Sequence, residues 1–123
     1  MTITFTSDIN QNGNKDKIKF TSEVIVSDYQ DFKVFEFSEP SQGIQNRIEV
    51  SSSKVNIFAG PSTINLDLYN KTTIEYITPQ GPLYMEGELI DLISKDNEYF
   101  FHYKLVNGVD AIGEYKIKLE IKE

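Results

Sequence analysis

Apolar and polar residues alternate along most of this chain. Between residues 114 and 121, for example, every odd position is apolar and every even position is Glu or Lys. Neighbouring side chains of a β-strand point to opposite faces, so this segment predicts a strand with one buried and one solvent-facing side. A shift of one residue in pairing would exchange the two faces, which ties the register to the pattern.

The same alternation recurs in five upstream runs, at residues 3–5, 18–26, 44–50, 55–57 and 64–68. Turn-forming pairs such as Asn12-Gly13, Gly60-Pro61 and Asn107-Gly108 lie between the runs. Asn and Gly tolerate the positive φ of tight turns, and short turns join neighbouring strands in antiparallel order. The chain is therefore predicted to form antiparallel hairpins.

Two longer strands are predicted in the second half, from Leu83 to about Leu92 and from Tyr99 to Val106, with a turn at residues 95–97. The apolar residues at 89, 90, 92 and 93 also fit the spacing of a short helical turn. We favour a strand because Gly87 and the β-rich flanking residues favour an extended chain.

About eight to ten short strands without a persuasive helix indicate an all-β fold. A chain of 123 residues is the size of one domain, and we assign residues 1–123 to a single closed antiparallel β-barrel. Closure is favoured because the first and last strands both look half-buried, and an open sheet would leave their edges unpaired. We predict that residues near 2–9 pair with or neighbour residues near 113–122.

The order of features resembles the YwiB-like family of bacterial domains of unknown function. The resemblance is carried by Tyr76, Gly81-Pro82-Leu83 at the head of a long strand, Tyr103-Lys104-Leu105, and the alternating final strand. It implies a calycin-like (lipocalin-like) β-barrel and a bacterial cytosolic protein, and no established activity. The family leads us to expect an Arg shortly before the glycine of a central strand, where this chain has Ile57-Phe58-Ala59-Gly60. A site served by that Arg is therefore in doubt here.

Composition excludes several classes of function. The chain has no Cys, so disulfides, thiolate nucleophiles and Cys-based metal sites are excluded. Its formal charge of −7 repels phosphate backbones and anionic membrane surfaces, so neither nucleic acid nor a membrane is an expected partner. The alternating N-terminus lacks the pattern of a secretory signal, and a cytoplasmic location is expected.

The polar residues do not form a recognisable catalytic or metal-binding motif. His102 is the one histidine, and its position places it on the outward face of its strand. Glu86 and Glu88 are two apart, at a spacing of about 7 Å that paired carboxylates or a calcium contact could use. Alternating carboxylates on a solvated strand are commonplace, so we interpret these residues structurally and expect no catalytic residue, metal or cofactor.

Aromatic residues provide the candidate ligand-lining positions. Five occupy positions that could point into the barrel: Tyr76, Tyr99, Phe101, Tyr103 and Tyr115. A barrel of this size holds either packed side chains or one small ligand, and buried hydroxyls need partners. Bulky Ile, Leu, Val and Phe residues favour a filled core. Ser7, Ser22 and Asn46 lie on otherwise apolar faces, so an interior that contains water remains the alternative.

Two functions are favoured after these exclusions, and a third, an enzyme, would require polar groups that converge in a cleft. The first is a non-enzymatic domain that binds a small apolar or amphipathic ligand in or at the mouth of the barrel. The second is a structural or interaction domain that acts through its outer face, for instance as a homodimer. Segments that are apolar on both faces, at 24–26, 34–37 and 57–58, support the second reading.

Overall fold

A computed structural model describes the backbone of residues 1–123 and every side chain except those of Tyr76 and Thr78. The chain forms ten strands: β1 Thr2–Gln11, β2 Asn14–Tyr29, β3 Phe32–Ser38, β4 Gln45–Val50, β5 Lys54–Ala59, β6 Ser62–Asp67, β7 Thr72–Thr78, β8 Gly81–Lys95, β9 Glu98–Asn107 and β10 Asp110–Lys122. The described part of the chain contains no candidate for a membrane-spanning helix.

Consecutive strands pair with one another except β6 and β7, and all pairs are antiparallel. The first and last strands also pair, from Thr2 opposite Lys122 to Asn10 opposite Glu114. The sheet order is therefore β6-β5-β4-β3-β2-β1-β10-β9-β8-β7. This arrangement confirms the predicted contact between the two ends and the all-β fold, a nearly closed antiparallel barrel of ten strands.

The barrel is incomplete at one seam, between β6 and β7, where the described backbone forms no ladder. The Thr72 hydroxyl approaches both sides of the seam, 2.5 Å from the carbonyl oxygen of Asn65 and 3.4 Å from that of Gly87. A Cβ added at Gly87 would lie 2.5 Å from Ile74 Cδ1 and 3.0 Å from Leu66 Cδ2. The missing side chain thus lets strands β6, β7 and β8 approach closely, and side-chain packing closes what the backbone leaves open.

Large apolar side chains fill the middle of the barrel. Ile3, Phe101 and Leu119 are fully buried, and Phe35 is 1% exposed. Two of the polar residues that suggested a water-containing interior form hydrogen bonds with the backbone. Ser22 Oγ donates to the Ser38 carbonyl, and Asn46 Nδ2 donates to the Ile44 carbonyl. The interior is packed over this region, as protein cores generally are.

A β-bulge explains the ambiguous apolar spacing in β8. The pairing with β9 shifts by one residue between Leu89 and Asp91, so Ile90 is the additional residue. Leu89 is buried and Leu92 packs against the core, while Ile90 and Ile93 remain exposed. The extra residue places positions three apart on one face, which mimics helical spacing, and the predicted strand is confirmed over the helical turn.

The outer face of β3 to β6 carries a polar network. Glu49 is 7% exposed, and its carboxylate accepts hydrogen bonds from Arg47 Nε at 2.9 Å and Asn56 Nδ2 at 3.1 Å. Val34 lies opposite Glu49 and is also buried, outside the main core cluster. These contacts cover part of the outer apolar surface noted in the sequence. Ile25 stays 69% exposed, and association through that face stays a prediction.

Candidate functional site

Three of the five predicted aromatic residues form a continuous stack inside the barrel. Phe101 and Tyr103 are two apart on β9, and Tyr115 on β10 is the cross-strand partner of Tyr103. The ring centroids are 6.3 Å apart for Phe101 and Tyr103, and 4.9 Å apart for Tyr103 and Tyr115, whose ring planes differ by 16°. The pairing register brings these rings together, and aromatic neighbours at this distance attract one another.

Of the other two predicted residues, Tyr99 does not join this stack. Tyr99 lies four residues before Tyr103, towards the opposite end of the barrel, where its ring packs against the edge of Phe35 at 4.9 Å. The side chain of Tyr76 lies outside the described residues. Tyr99 therefore packs against the core near the end of the barrel opposite to Tyr103 and Tyr115.

A pocket of about 320 Å³ opens at the end of the barrel that carries the turns at 12–13, 60–61 and 108–109. Its described lining comes from β1, β6, β7, β8, β9 and β10: Gln11, Ser62, Thr63, Ile64, Ile74, Leu83, Met85, Tyr103, Leu105, Ile112 and Tyr115. This volume equals that of about ten water molecules and falls within the usual range of small-molecule sites. The barrel is therefore filled in the middle and hollow at one mouth.

Most of the pocket wall is apolar, and its deepest polar group is the Tyr103 hydroxyl. Tyr103 is 4% exposed, and no residue in the described part of the chain forms a hydrogen bond with this hydroxyl. Among the described side chains, no wholly buried polar atom is left without a partner. The Tyr103 oxygen must then meet the pocket space, where a ligand or water can bond to it.

Burial raises the pKa of Tyr103 well above the usual tyrosine value, and the neighbouring Tyr115 phenol adds to the effect. Desolvation disfavours the phenolate, so the group remains a neutral hydroxyl over the physiological range. It can both donate and accept one hydrogen bond inside the pocket.

Alkaline titration tests this environment. We expect the ultraviolet absorbance of tyrosinate to show one of the seven tyrosines ionising only above the main transition near pH 10, or on unfolding. Because the folded protein holds this proton more tightly than the unfolded chain, the stabilising effect is present below about pH 10 and is lost as pH rises further. Tyr103→Phe should remove the late step. Tyr69→Phe, at a residue 78% exposed, is the control and should leave the late step in place.

The mouth of the pocket depends on a glycine and on the first hairpin. Gln11 Nε2 donates a hydrogen bond of 2.9 Å to the Tyr115 hydroxyl. A Cβ at Gly113 would lie 2.6 Å from the same oxygen, so Tyr115 lies back over Gly113, next to the bulge in β10. Sequence reasoning missed Gln11 and Gly113. The available signal for Gly113 was its position two residues before an inward-facing tyrosine. No local sequence pattern identified Gln11.

The other candidate polar residues lie outside the pocket. His102 is on the outward face of β9, with its Nε2 2.6 Å from Glu114 Oε1. Glu86 is exposed and Glu88 is half-buried opposite Lys104. Within the described residues, no group of three or more His, Cys, Asp or Glu side chains is arranged to hold a metal ion.

Fold and pocket together define a small all-β domain, a ten-stranded, nearly closed barrel with an apolar cup at one mouth. No family model matches the chain. It is 34% identical over 126 residues to an uncharacterized protein of Mycoplasmopsis pulmonis (strain UAB CTIP), with all of both chains covered. The chain belongs to the same family as that protein.

The fold is also that of a solved structure. The crystal structure of ywiB protein from Bacillus subtilis matches with a TM-score of 0.70 and 16% sequence identity, covering 99% of this chain and 91% of that one. The resemblance to the YwiB-like fold is confirmed, and both similar proteins are bacterial. At this level of identity the comparison carries the fold and leaves the function to the site itself.

Proposed function

We propose that this protein is a non-enzymatic binding domain that holds a small amphipathic ligand in the pocket at the barrel mouth. The apolar part of the ligand contacts Ile64, Ile74 and Leu105, and its polar group reaches Tyr103. A cytoplasmic location and a calycin-like mode of binding, at the open end of a barrel, belong to the same proposal.

The observation that carries this proposal is the Tyr103 hydroxyl, which has no hydrogen-bond partner among the described residues and belongs to a side chain lining an apolar pocket. A hydroxyl that keeps accessible surface at a pocket wall can offer a ligand a hydrogen bond worth about 0.5–1.5 kcal/mol. Apolar walls with a few well-placed polar groups are the usual composition of small-molecule sites. A merely structural barrel gains nothing from leaving this space unfilled, because close packing stabilises the core.

Filling the pocket tests the proposal. We expect the neutral apolar fluorophore N-phenyl-1-naphthylamine to bind the wild-type protein with enhanced fluorescence. Ile112→Trp places a bulky indole ring at the half-buried rim of the pocket. This variant should bind the fluorophore at least about tenfold more weakly, equivalent to about 1.4 kcal/mol. Titration of the fluorophore with each variant gives the affinities.

Ile25→Trp is the matched control, since it introduces the same side chain at an exposed outer position of β2. It should bind the fluorophore as the wild type does. Urea unfolding of both variants checks that the barrel remains folded. If the wild type does not bind, or if Ile112→Trp binds equally well, the mouth pocket is not a binding site.

A further inference from the structure

We propose that the polar group of the ligand is uncharged, as in an alcohol, amide or ester, and that ionised amphiphiles are excluded. This inference rests on the proposed function and names the chemical class that the pocket selects. It depends on which side chains reach the pocket and on which hydrogen-bonding groups they leave available.

Charged side chains are absent from the described lining of the pocket. The chain has 12 Lys and Arg and 19 Asp and Glu residues, yet the described lining consists of apolar residues with Ser, Thr, Gln and Tyr. A carboxylate or ammonium group placed against this wall would lose its hydration without gaining an opposite charge. Burying an unpaired ion is far more unfavourable than burying a neutral polar group that finds a hydrogen bond.

The neutral polar residues of the described lining are two tyrosines, one glutamine, Ser62 and Thr63. The Tyr115 oxygen accepts a hydrogen bond from Gln11 Nε2, which leaves its own hydrogen free to donate. The Tyr103 and Tyr115 rings are stacked with their centroids 4.9 Å apart, and the Tyr103 hydroxyl has no hydrogen-bond partner among the described residues. Two neighbouring hydroxyl donors match a carbonyl or hydroxyl oxygen of the ligand.

The net charge of −7 acts in the same direction for anions, because the field of the whole protein repels them as they approach. It would attract cations. The long-range field of the protein therefore acts in opposite directions on anions and cations, whereas the pocket wall disfavours both. Measurements near physiological ionic strength, where the screening length is about 8 Å, isolate the contribution of the wall.

A panel of amphiphiles that share a ten-carbon chain tests the inference through displacement of N-phenyl-1-naphthylamine. Decanamide, 1-decanol and methyl decanoate are the neutral members, and decanoate and decylammonium are the ionised ones. We expect the neutral compounds to displace the fluorophore at concentrations at least about tenfold lower than the ions do. Tyr103→Phe should weaken the binding of decanamide about five- to tenfold.

The outcomes separate this inference from the proposed function. Binding of the fluorophore together with decanoate or decylammonium as tight as decanamide overturns the uncharged class and leaves the binding domain standing. No binding of the fluorophore or of any amphiphile overturns the proposed function and the inference with it. An unchanged decanamide affinity in Tyr103→Phe shows that the hydroxyl does not hold the polar group, which also contradicts the inference.

Discussion

Replacing Phe101 by Ala is expected to lower the free energy of unfolding by about 3–5 kcal/mol. Phe101 is fully buried and lies between Tyr103 on its own strand and the apolar residues of the barrel core. Removing its ring leaves a cavity that the sheet cannot fill, because neighbouring strands are held in register by their backbone ladders. Total stabilities of small domains are about 5–15 kcal/mol, so this loss is a large share of the whole.

Urea unfolding followed by circular dichroism gives the measurement. Phe100→Ala is the matched control, because the same change is made at the adjacent, half-exposed position facing the other side of β9. It should lower the free energy of unfolding by less than half as much. Equal losses at the two positions would contradict the assignment of the inner and outer faces, and with it the register of β9 against β10.

Gly87→Ala is expected to destabilise the barrel by about 1–3 kcal/mol. Its added Cβ would lie 2.5 Å from Ile74 Cδ1 and 3.0 Å from Thr72 Oγ1. The φ angle of Gly87 lies outside the left-handed region, so the penalty arises from crowding at the seam rather than from backbone strain. Either Ile74 must adopt another rotamer, or β7 and β8 must shift against the backbone ladder that pairs Thr72 with Gly87.

A double-mutant cycle isolates this contact. Ile74→Val removes the Cδ1 atom that an alanine at residue 87 would meet, and alone it should lower the free energy of unfolding by about 0.5–1.5 kcal/mol. The double variant should be more stable than the sum of the single effects implies, by about 1 kcal/mol. Additive losses in urea unfolding would show that Gly87 does not determine the approach of the strands.

Much of the fold was predictable because the period of two is a local property of the chain. The alternation from residue 114 to 121 identified β10, and the half-buried pattern of the first strand predicted its pairing with β10. The Asn-Gly pairs marked two hairpin turns, and Asn12 and Gly13 do adopt positive φ angles of 53° and 83°. The bulge at Ile90 was not predictable, since an extra residue shifts the pattern without a signal of its own.

The candidate site was predictable only in part. Tyr103 and Tyr115 share the inward parity of their strands, and this was enough to propose them as lining residues. Parity gives the face of a strand and not the depth along it, so Tyr99 was grouped with them although it packs at the far end. Gln11 joins the site through a contact between residues 104 positions apart, which no local pattern reveals.

The sequence by itself determined the class of secondary structure, the faces of most strands and the absence of disulfide chemistry. These follow from the order of polar and apolar residues and from composition, which act over a few neighbouring positions. Only the tertiary structure decided that the barrel is packed in the middle and hollow at one mouth, and that its seam closes through side chains. Those features depend on how side-chain volumes from six or more strands add up in space, and that sum is set by packing between distant residues.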